Sequence, residues 1–145
     1  MRIKLVMTAV AACMALAGCA TPYQEPGFTG GVTARKEADG TWLILAAGNA
    51  NTTVEATSDY TFVKAAETVK SQGFTCFDIV GQYAAMEDVS MGSQYGTMDF
   101  KKPDARLRIR IREDLKTCDD KVNADAIIAR LSAKVRNPKS YLRKD

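Results

Sequence analysis

Residues 105–113 alternate strictly between apolar and charged side chains, and this pattern restricts the fold more than any other segment. Leu107, Ile109 and Ile111 occupy one set of alternating positions. The positions between them hold arginines, namely Arg106, Arg108, Arg110 and Arg112. Because successive side chains of a β-strand point to opposite faces, the segment predicts a strand with one buried and one charged face. One solvated face is typical of antiparallel sheets.

Three further strands are predicted from local patterns. Ala38-Asp39-Gly40 separates two runs of strand-forming residues within 32–47 and indicates a β-hairpin. The second of these strands, 41–47, is apolar on both faces and is therefore expected to be central. Residues 74–80 predict another strand.

Two helices complete the predicted fold. The first is expected to begin at an N-cap among residues 57–59 and to end at Gly73, a length of about fifteen residues. The second is expected from about Asn123 to Arg136, because an apolar stripe recurs there at helical spacing. The order ββα–ββα predicts an α+β fold. We expect a small sandwich of about four mostly antiparallel strands with two helices packed on one face.

The chain begins with a short basic segment followed by an apolar run. Leu5 to Ala17 contains 13 residues and is interrupted only by Thr8. A helix of that length covers about 20 Å, whereas the hydrocarbon core of a bilayer is about 30 Å thick. The segment is therefore typical of a signal peptide and not of a transmembrane helix.

The apolar run ends in Leu16-Ala17-Gly18-Cys19, which resembles the lipobox of bacterial lipoproteins. The resemblance implies cleavage between Gly18 and Cys19 and attachment of acyl chains at Cys19, which becomes a firm membrane anchor. Because residue 20 is Ala and not Asp, the resemblance also implies the periplasmic face of the outer membrane. An ordinary secretory signal is the alternative interpretation.

The predicted organisation has four parts: a lipoprotein signal peptide at 1–18, a lipidated tether at 19–30, an α+β periplasmic domain at 31–137, and a basic C-terminal tail at 138–145. The signal peptide holds two of the 20 basic residues and none of the 17 acidic ones. The remaining 127 residues therefore carry a net charge of only +1. This balance removes the compositional support for nucleic-acid binding.

The cysteine and histidine counts limit the chemistry. Removal of Cys13 with the signal and lipidation of Cys19 leave Cys76 and Cys118, which predict a disulfide in an oxidising periplasm. A metal site or a redox pair is the alternative, although the sequence has no His and no C-x-x-C motif. Without an imidazole, the most common general base is missing. We expect no catalytic residue, no metal and no cofactor.

The four arginines of 105–113 form the first candidate binding surface. Guanidinium groups on one strand face could bind the phosphates or carboxylates of an anionic glycolipid or of peptidoglycan. The alternative is an ordinary solvated face. Asp78 is expected to neutralise part of this charge if the third and fourth strands are neighbours.

The long connection from Gly81 to Asp104 forms the second candidate. Its middle mixes small residues with adaptable apolar side chains that suit a contact surface. We predict a partner loop that includes Met86, Met91, Tyr95, Met98 and Phe100. The alternatives are a flexible loop, or extensions of the two strands with a shorter turn near Gly92.

Short motifs are distributed along the mature chain. They are Cys19-Ala20-Thr21-Pro22-Tyr23-Gln24, Gly48-Asn49, Ala65-Ala66-Glu67, Gly73-Phe74 with Phe77, and Asp125-Ala126. Together they resemble a family of small proteobacterial outer-membrane lipoproteins of unknown function. The resemblance implies a lipoprotein with this fold and implies no activity.

These observations predict a lipid-anchored periplasmic protein that acts as a non-catalytic binding or structural module of the cell envelope. Its expected partners are the membrane, through Cys19, and an envelope protein or an anionic glycolipid. Two alternatives remain open: binding of anionic glycolipid or peptidoglycan through the arginine-lined face, and a small His-free hydrolase.

Overall fold

In a computed structural model of the protein, residues 20–141 are described. The predicted signal peptide, the cleavage site and Cys19 lie outside these residues. Within them, four strands form one antiparallel sheet in the order β1-β2-β4-β3. The strands are β1 (Gly31–Lys36), β2 (Trp42–Ala47), β3 (Phe77–Ser93) and β4 (Gly96–Ile111).

Two α-helices and a short 3₁₀ helix complete the element order. They are α1 (Val54–Ser71), α2 (Ala124–Val135) and the 3₁₀ helix Pro138–Tyr141. The predicted α+β class and the order ββα–ββα are confirmed. Helix α1 contacts all four strands, whereas α2 packs chiefly against α1.

The first hairpin forms where the sequence predicts it. Strands β1 and β2 pair from Gly31 with Ala47 to Lys36 with Trp42. In the connecting turn, Asp39 Oδ1 accepts hydrogen bonds from the Thr41 amide (3.0 Å) and hydroxyl (2.6 Å). Gly40 adopts a φ of 81°, a conformation that residues other than glycine rarely adopt. Strand β2 is central, as expected, because β1 and β4 flank it.

One face of the sheet is covered by α1 and the other is open. The covered face buries Val32, Ile44, Leu107 and Ile109 completely. These side chains form one hydrophobic core with the buried stripes of both helices. The stripe of α1 consists of Val63, Ala66 and Val69, and that of α2 consists of Ala124, Ile127, Leu131 and Val135. The predicted inward positions of β4 are therefore confirmed for Leu107 and Ile109.

Helix α1 begins earlier than the sequence indicates. Its N-cap is Thr53, whose hydroxyl accepts a hydrogen bond from the Ala56 amide (3.0 Å), and not a residue among 57–59. Thr57 instead lies buried inside the helix and donates to the Val54 carbonyl (3.0 Å). The helix therefore has 18 residues. Several consecutive cap-forming residues make the start of a helix ambiguous, and burial decides among them.

The segment 20–30, predicted to be a tether, packs against the fold instead. Thr21 is completely buried, and its amide donates to Thr52 Oγ1 at 2.8 Å. Its hydroxyl donates to the Thr29 carbonyl at 2.5 Å. The Tyr60 hydroxyl donates to the Thr21 carbonyl at 2.8 Å. The folded domain therefore includes this segment and does not begin at residue 31.

The predicted C-terminal tail is also docked in part. Its first four residues form the 3₁₀ helix, and the Tyr141 hydroxyl donates to Asp59 at 3.0 Å. The Tyr141 ring packs edge-on against Tyr60, with ring centres 6.2 Å apart. The folded domain therefore extends to residue 141, and residues 142–145 lie outside the described part of the chain.

Cys76 and Cys118 form the predicted disulfide, with Cα atoms 6.0 Å apart. Cys76 also lies beside Asn123, the N-cap of α2, in an isolated bridge. The disulfide thus links the start of β3 to the loop that leads into α2. Within residues 20–141, no helix has the length and hydropathy that crossing a membrane requires.

Candidate functional site

Strands β3 and β4 continue well beyond the rest of the sheet. Strand β2 ends opposite Asp104, but β3 and β4 remain paired from Met86 with Pro103 to Ser93 with Gly96. We call residues 86–103 the arm. Eight residue pairs at about 3.4 Å each give a projecting two-stranded ribbon about 27 Å long. The predicted loop is therefore wrong, and the alternative of strand extensions is confirmed, with the turn at Gln94 and Tyr95.

The arm is amphipathic. One face carries the cross-strand pairs Val89 with Phe100 and Met91 with Met98. The side chains of Met91 and Met98 are exposed to 60% and 71%, and Tyr95 at the tip to 91%. These side chains therefore contribute little to the core. Three predicted partner residues, Met91, Met98 and Phe100, lie on this face, whereas Met86 lies on the opposite face and opposite Pro103.

The opposite face of the arm is held by polar cross-strand contacts. Lys101 Nζ lies 3.4 Å from an Asp88 carboxylate oxygen, and Ser90 Oγ donates to Asp99 Oδ1 at 2.5 Å. Across the whole arm, three acidic side chains face two basic ones. The arm is therefore close to electrically neutral, and the side that carries Val89 and Met91 is apolar beyond the pair Glu87 with Lys102 at its base.

The apolar side of the arm continues into the open face of the sheet. Three predicted arginines, Arg106, Arg108 and Arg110, occupy successive outward positions of β4. Leu45 lies opposite Arg106 and Leu43 opposite Arg108 on β2. Arg112 follows the end of β4. The open face thus combines half-exposed leucines with a row of arginines.

Most of the arginines are already paired with carboxylates of the same chain. Arg106 Nε lies 2.9 Å from Asp104, and Arg108 lies 4.0 Å from Asp39. Arg112 contacts Asp114 at 2.8 Å and Asp78 at 3.1 Å, which confirms the expected neutralisation by Asp78.

Arg110 differs from the other three. It makes no hydrogen bond or salt bridge with any residue of the described range 20–141, and it acts on Asp39 only through a longer-range attraction. The arginine row is therefore largely compensated by carboxylates of the same chain.

Hydrogen bonds shift the pKa values of several groups on this face. Bonds to Asp114 and to Asp78 raise the pKa of Arg112. The pKa of Tyr83 is raised chiefly by its hydrogen bond to Glu87, at 2.9 Å. The Arg106 guanidinium lies 5.7 Å from the centre of the Tyr83 ring. These groups retain their ordinary charges at neutral pH.

A shallow groove lies on the open face between the turn that precedes β1 and strand β4. Its volume is about 520 Å³. Leu43, Leu45 and Ala47 line it, together with Arg35, Arg106 and four residues of the turn before β1, namely Pro26, Gly27, Gly30 and Gly31. An apolar floor with charged ends is suited to an extended amphipathic ligand or chain segment.

A tyrosine cluster on the helical side was not found from the sequence. The Tyr23 hydroxyl donates to Glu67 at 2.5 Å, and Tyr23 packs edge-on against Tyr60 with ring centres 5.6 Å apart. Burial, followed by the contacts with Glu67, raises the pKa of Tyr23. Burial likewise raises the pKa values of Tyr60 and Tyr141.

Charged side chains complete this cluster. Arg136 bonds Glu67 at 3.1 Å and stacks over Tyr23, and Lys134 bonds Asp59 at 2.7 Å. These contacts fasten the N-terminal segment and the C-terminal 3₁₀ helix to α1. The raised pKa values keep the hydroxyls of Tyr23, Tyr60 and Tyr141 protonated at neutral pH.

Residues from the short motifs meet at the N-terminal junction. The Asn49 amide donates to Thr21 Oγ1 at 2.8 Å, and Tyr23 bonds Glu67. A Cβ on Gly48 would lie 2.5 Å from Thr52 Cβ and 2.8 Å from Pro103 Cγ. These motifs therefore hold the N-terminal segment in place. A pattern of small and polar residues separated by tens of positions gives no sequence signal for such contacts.

Metal-ligating side chains are not clustered in the described part of the chain. In residues 20–141, no three His, Cys, Asp or Glu residues lie together in a way that could hold a metal ion. No known family model, curated protein or solved structure matches this chain.

Proposed function

We propose that the protein is a lipid-anchored, non-catalytic module of the bacterial cell envelope, attached through Cys19 to the periplasmic face of the outer membrane. It binds a component of the envelope through the arm and the open sheet face. The lipobox-like sequence supports the attachment. The observation that carries the binding role is the arm, on which Met91, Tyr95 and Met98 are exposed and lie outside the hydrophobic core.

The chemistry of the open face also supports binding over catalysis. The arginine row is compensated by Asp39, Asp78, Asp104 and Asp114, so these carboxylates are engaged in ion pairs. General acid–base catalysis requires carboxyl groups poised to exchange a proton with a substrate. The same compensation weakens the proposal that the row binds an anionic glycolipid, because its charge is already used within the chain.

The anchor is tested with two cysteine variants of the full chain in the native host. Cys19→Ala is expected to abolish lipid attachment and to move the protein from the membrane to the soluble periplasmic fraction. Cys13→Ala, which changes a cysteine inside the signal peptide, is the matched control and is expected to stay lipidated. Mass spectrometry of the mature N-terminal peptide checks both results. A Cys19→Ala protein that still carries the lipid would contradict the proposal.

The binding role is tested by photocrosslinking in living cells. A photoreactive amino acid replaces Tyr95 at the tip of the arm, and Lys116, an exposed residue in the loop after β4, is the control position. We expect an adduct from position 95 and none from position 116. Adducts at both positions in equal amounts, or at neither, would contradict a binding role for the arm.

A further inference from the structure

We infer that the end of the fold bearing Thr21, Phe28 and the arm lies against the lipid leaflet that holds Cys19, with Phe28 and the apolar face of the arm in the headgroup region. The inference rests on the lipid attachment proposed above and names the lipid surface as the component that the arm contacts.

Very few residues separate Cys19 from the first fixed residue of the fold, Thr21. Thr21 is completely buried and fixed by hydrogen bonds to Thr29, Asn49, Thr52 and Tyr60. Cys19 precedes it by only two residues, and two extended residues span at most about 7 Å. A free tether over 20–30 would have allowed any orientation. A lipid held this close to Thr21 leaves one end of the domain facing the membrane.

Phe28 lies in a turn that is hydrogen-bonded to Thr21. Gly27 and Gly30 exchange two backbone hydrogen bonds and form a tight turn with Phe28 and Thr29 at its tip. The Thr29 carbonyl accepts the hydrogen bond from Thr21 Oγ1, so the turn is joined to the anchor site. Phe28 has a relative exposure of 107%, the highest of the large apolar side chains in residues 20–141. Exposed aromatic rings beside a lipid anchor are suited to the interface of a bilayer.

The arm starts at the same end of the sheet as Thr21. The Gly48 amide donates to the Pro103 carbonyl at the base of the arm (3.0 Å), and the next residue, Asn49, donates to Thr21. Strand β2 ends at Ala47 and strand β1 begins opposite it at Gly31, so both neighbouring strands stop where the arm continues. The arm therefore projects from the same end of the sheet as Thr21.

The composition of the arm decides how it meets the membrane. Both edges of the ribbon have unpaired backbone groups, which cannot enter hydrocarbon without a large cost. One polar and one apolar side instead suit an element that lies in the interface. Because the arm contains three acidic residues and only two basic ones, Lys101 and Lys102, it has no excess of positive charge. We therefore expect contact with zwitterionic headgroups and little dependence on salt.

Tryptophan fluorescence of the lipidated full-length protein in vesicles tests this inference. The vesicles contain phosphatidylethanolamine and a brominated phosphatidylcholine, whose bromines quench nearby tryptophan. The only native tryptophan, Trp42, lies at the opposite end of β2 and provides the baseline. Phe28→Trp and Met98→Trp are the two reporters, and Lys116→Trp is the matched control.

We expect the emission added by each reporter to fall by about twofold in brominated vesicles, while the control and Trp42 stay unchanged. The quenching should persist when NaCl rises from about 0.05 to about 0.5 M. Unquenched reporters on a protein that still carries its lipid would overturn the inference and leave the anchor intact. Quenching that disappears at high salt, or an arm crosslinked to protein in place of lipid, would also overturn it. A chain without lipid at Cys19 would overturn both proposals.

Discussion

The N-terminal segment 20–30 and the arm stand in opposite relations to the core, although neither belongs to the compact part of the sheet. The N-terminal segment has no regular structure, yet Thr21 within it is completely buried. Thr21 is hydrogen-bonded to Asn49, Thr52 and Tyr60, all of which are distant in sequence. The arm consists of two regular paired strands, yet the side chains of Met91, Tyr95 and Met98 remain exposed. Regular secondary structure and burial are therefore separate properties in this protein.

The two regions are ordered by different kinds of contact. The N-terminal segment is ordered by contacts with residues 28 to 44 positions away, such as those of Thr21 with Asn49 and of Tyr23 with Glu67. The arm is ordered by its own cross-strand ladder between neighbouring stretches of the chain. Loss of a buried contact should therefore affect the whole domain, whereas changes in the arm should remain local.

The largest expected effect on stability comes from removal of the disulfide that cross-links the domain. Cys76→Ala with Cys118→Ala removes a cross-link between residues 42 positions apart. The entropy of loop closure predicts a loss of about 4 kcal/mol in the free energy of unfolding. Urea denaturation measures the change. Treatment with a reductant should lower the stability of the wild type and leave the double variant unaffected. Equal stability of the two proteins would show that the cross-link does not restrain the domain.

Thr21→Val is expected to have the next largest effect. The change conserves volume but removes the donor to the Thr29 carbonyl and the acceptor of the Asn49 amide. The loss of two buried hydrogen bonds should cost about 2–3 kcal/mol of unfolding free energy. Thr29→Val, at the exposed tip of the turn whose carbonyl accepts the Thr21 hydroxyl, is the control and should change stability by less than about 0.5 kcal/mol. If both variants behave alike in thermal denaturation, the N-terminal segment is not fixed by Thr21.

A pair of glycines compares the junction with the arm directly. Gly48→Ala places a methyl group 2.5 Å from Thr52 and 2.8 Å from Pro103 and should destabilise the domain by about 1–2 kcal/mol. Gly92→Ala introduces the same methyl group near the tip of the arm, where nothing lies within 4 Å. We expect the second change to leave the denaturation midpoint unaltered. A reversed order of the two effects would contradict the contrast between a packed junction and an uncovered arm.

The smallest expected effect is a pH dependence from the β1–β2 turn. Hydrogen bonds from the Thr41 hydroxyl and amide hold the pKa of Asp39 below its ordinary value of 3.8. The folded state therefore favours the charged carboxylate, and this contribution is present at neutral pH. It is lost as the pH falls below 3.8 and through the pKa of the folded state. Asp39→Asn should flatten this part of the curve of unfolding free energy against pH, measured by urea denaturation at several pH values, and an unchanged curve would contradict the prediction.

Much of the fold could be predicted from local patterns. The alternation around Leu107 and Ile109, the Asp39-Gly40 turn and the stripe of α2 each depend on neighbouring residues, and the structure confirms them. The start of α1 was placed too late, because the alternative caps at 53 and 57–59 differ only in burial. The docking of Thr21 and Tyr23 could not be predicted, because it depends on partners such as Thr52 and Glu67 that no periodicity connects to them.

The candidate site was predicted in composition but not in shape. The apolar residues Met91, Met98 and Phe100 were identified as a contact surface, yet their placement on one face depends on the register of β3 and β4. The pairing of Arg106 with Asp104 follows from a separation of two along one strand, which puts both side chains on the same face. The role of Phe28 required the three-dimensional position of its turn beside Thr21.

The long strand β4 also has a dynamic consequence. From Asp104 to Ile109 it pairs with β2 on one side and β3 on the other, but within the arm it pairs with β3 alone. In hydrogen exchange, its backbone amides from Asp104 to Ile109 should exchange only when the whole domain opens, whereas those in the arm should exchange through local fraying. A single continuous strand would then show two rates of exchange with a boundary at Asp104. The tip can consequently adapt its shape to a surface while the domain behind it stays folded.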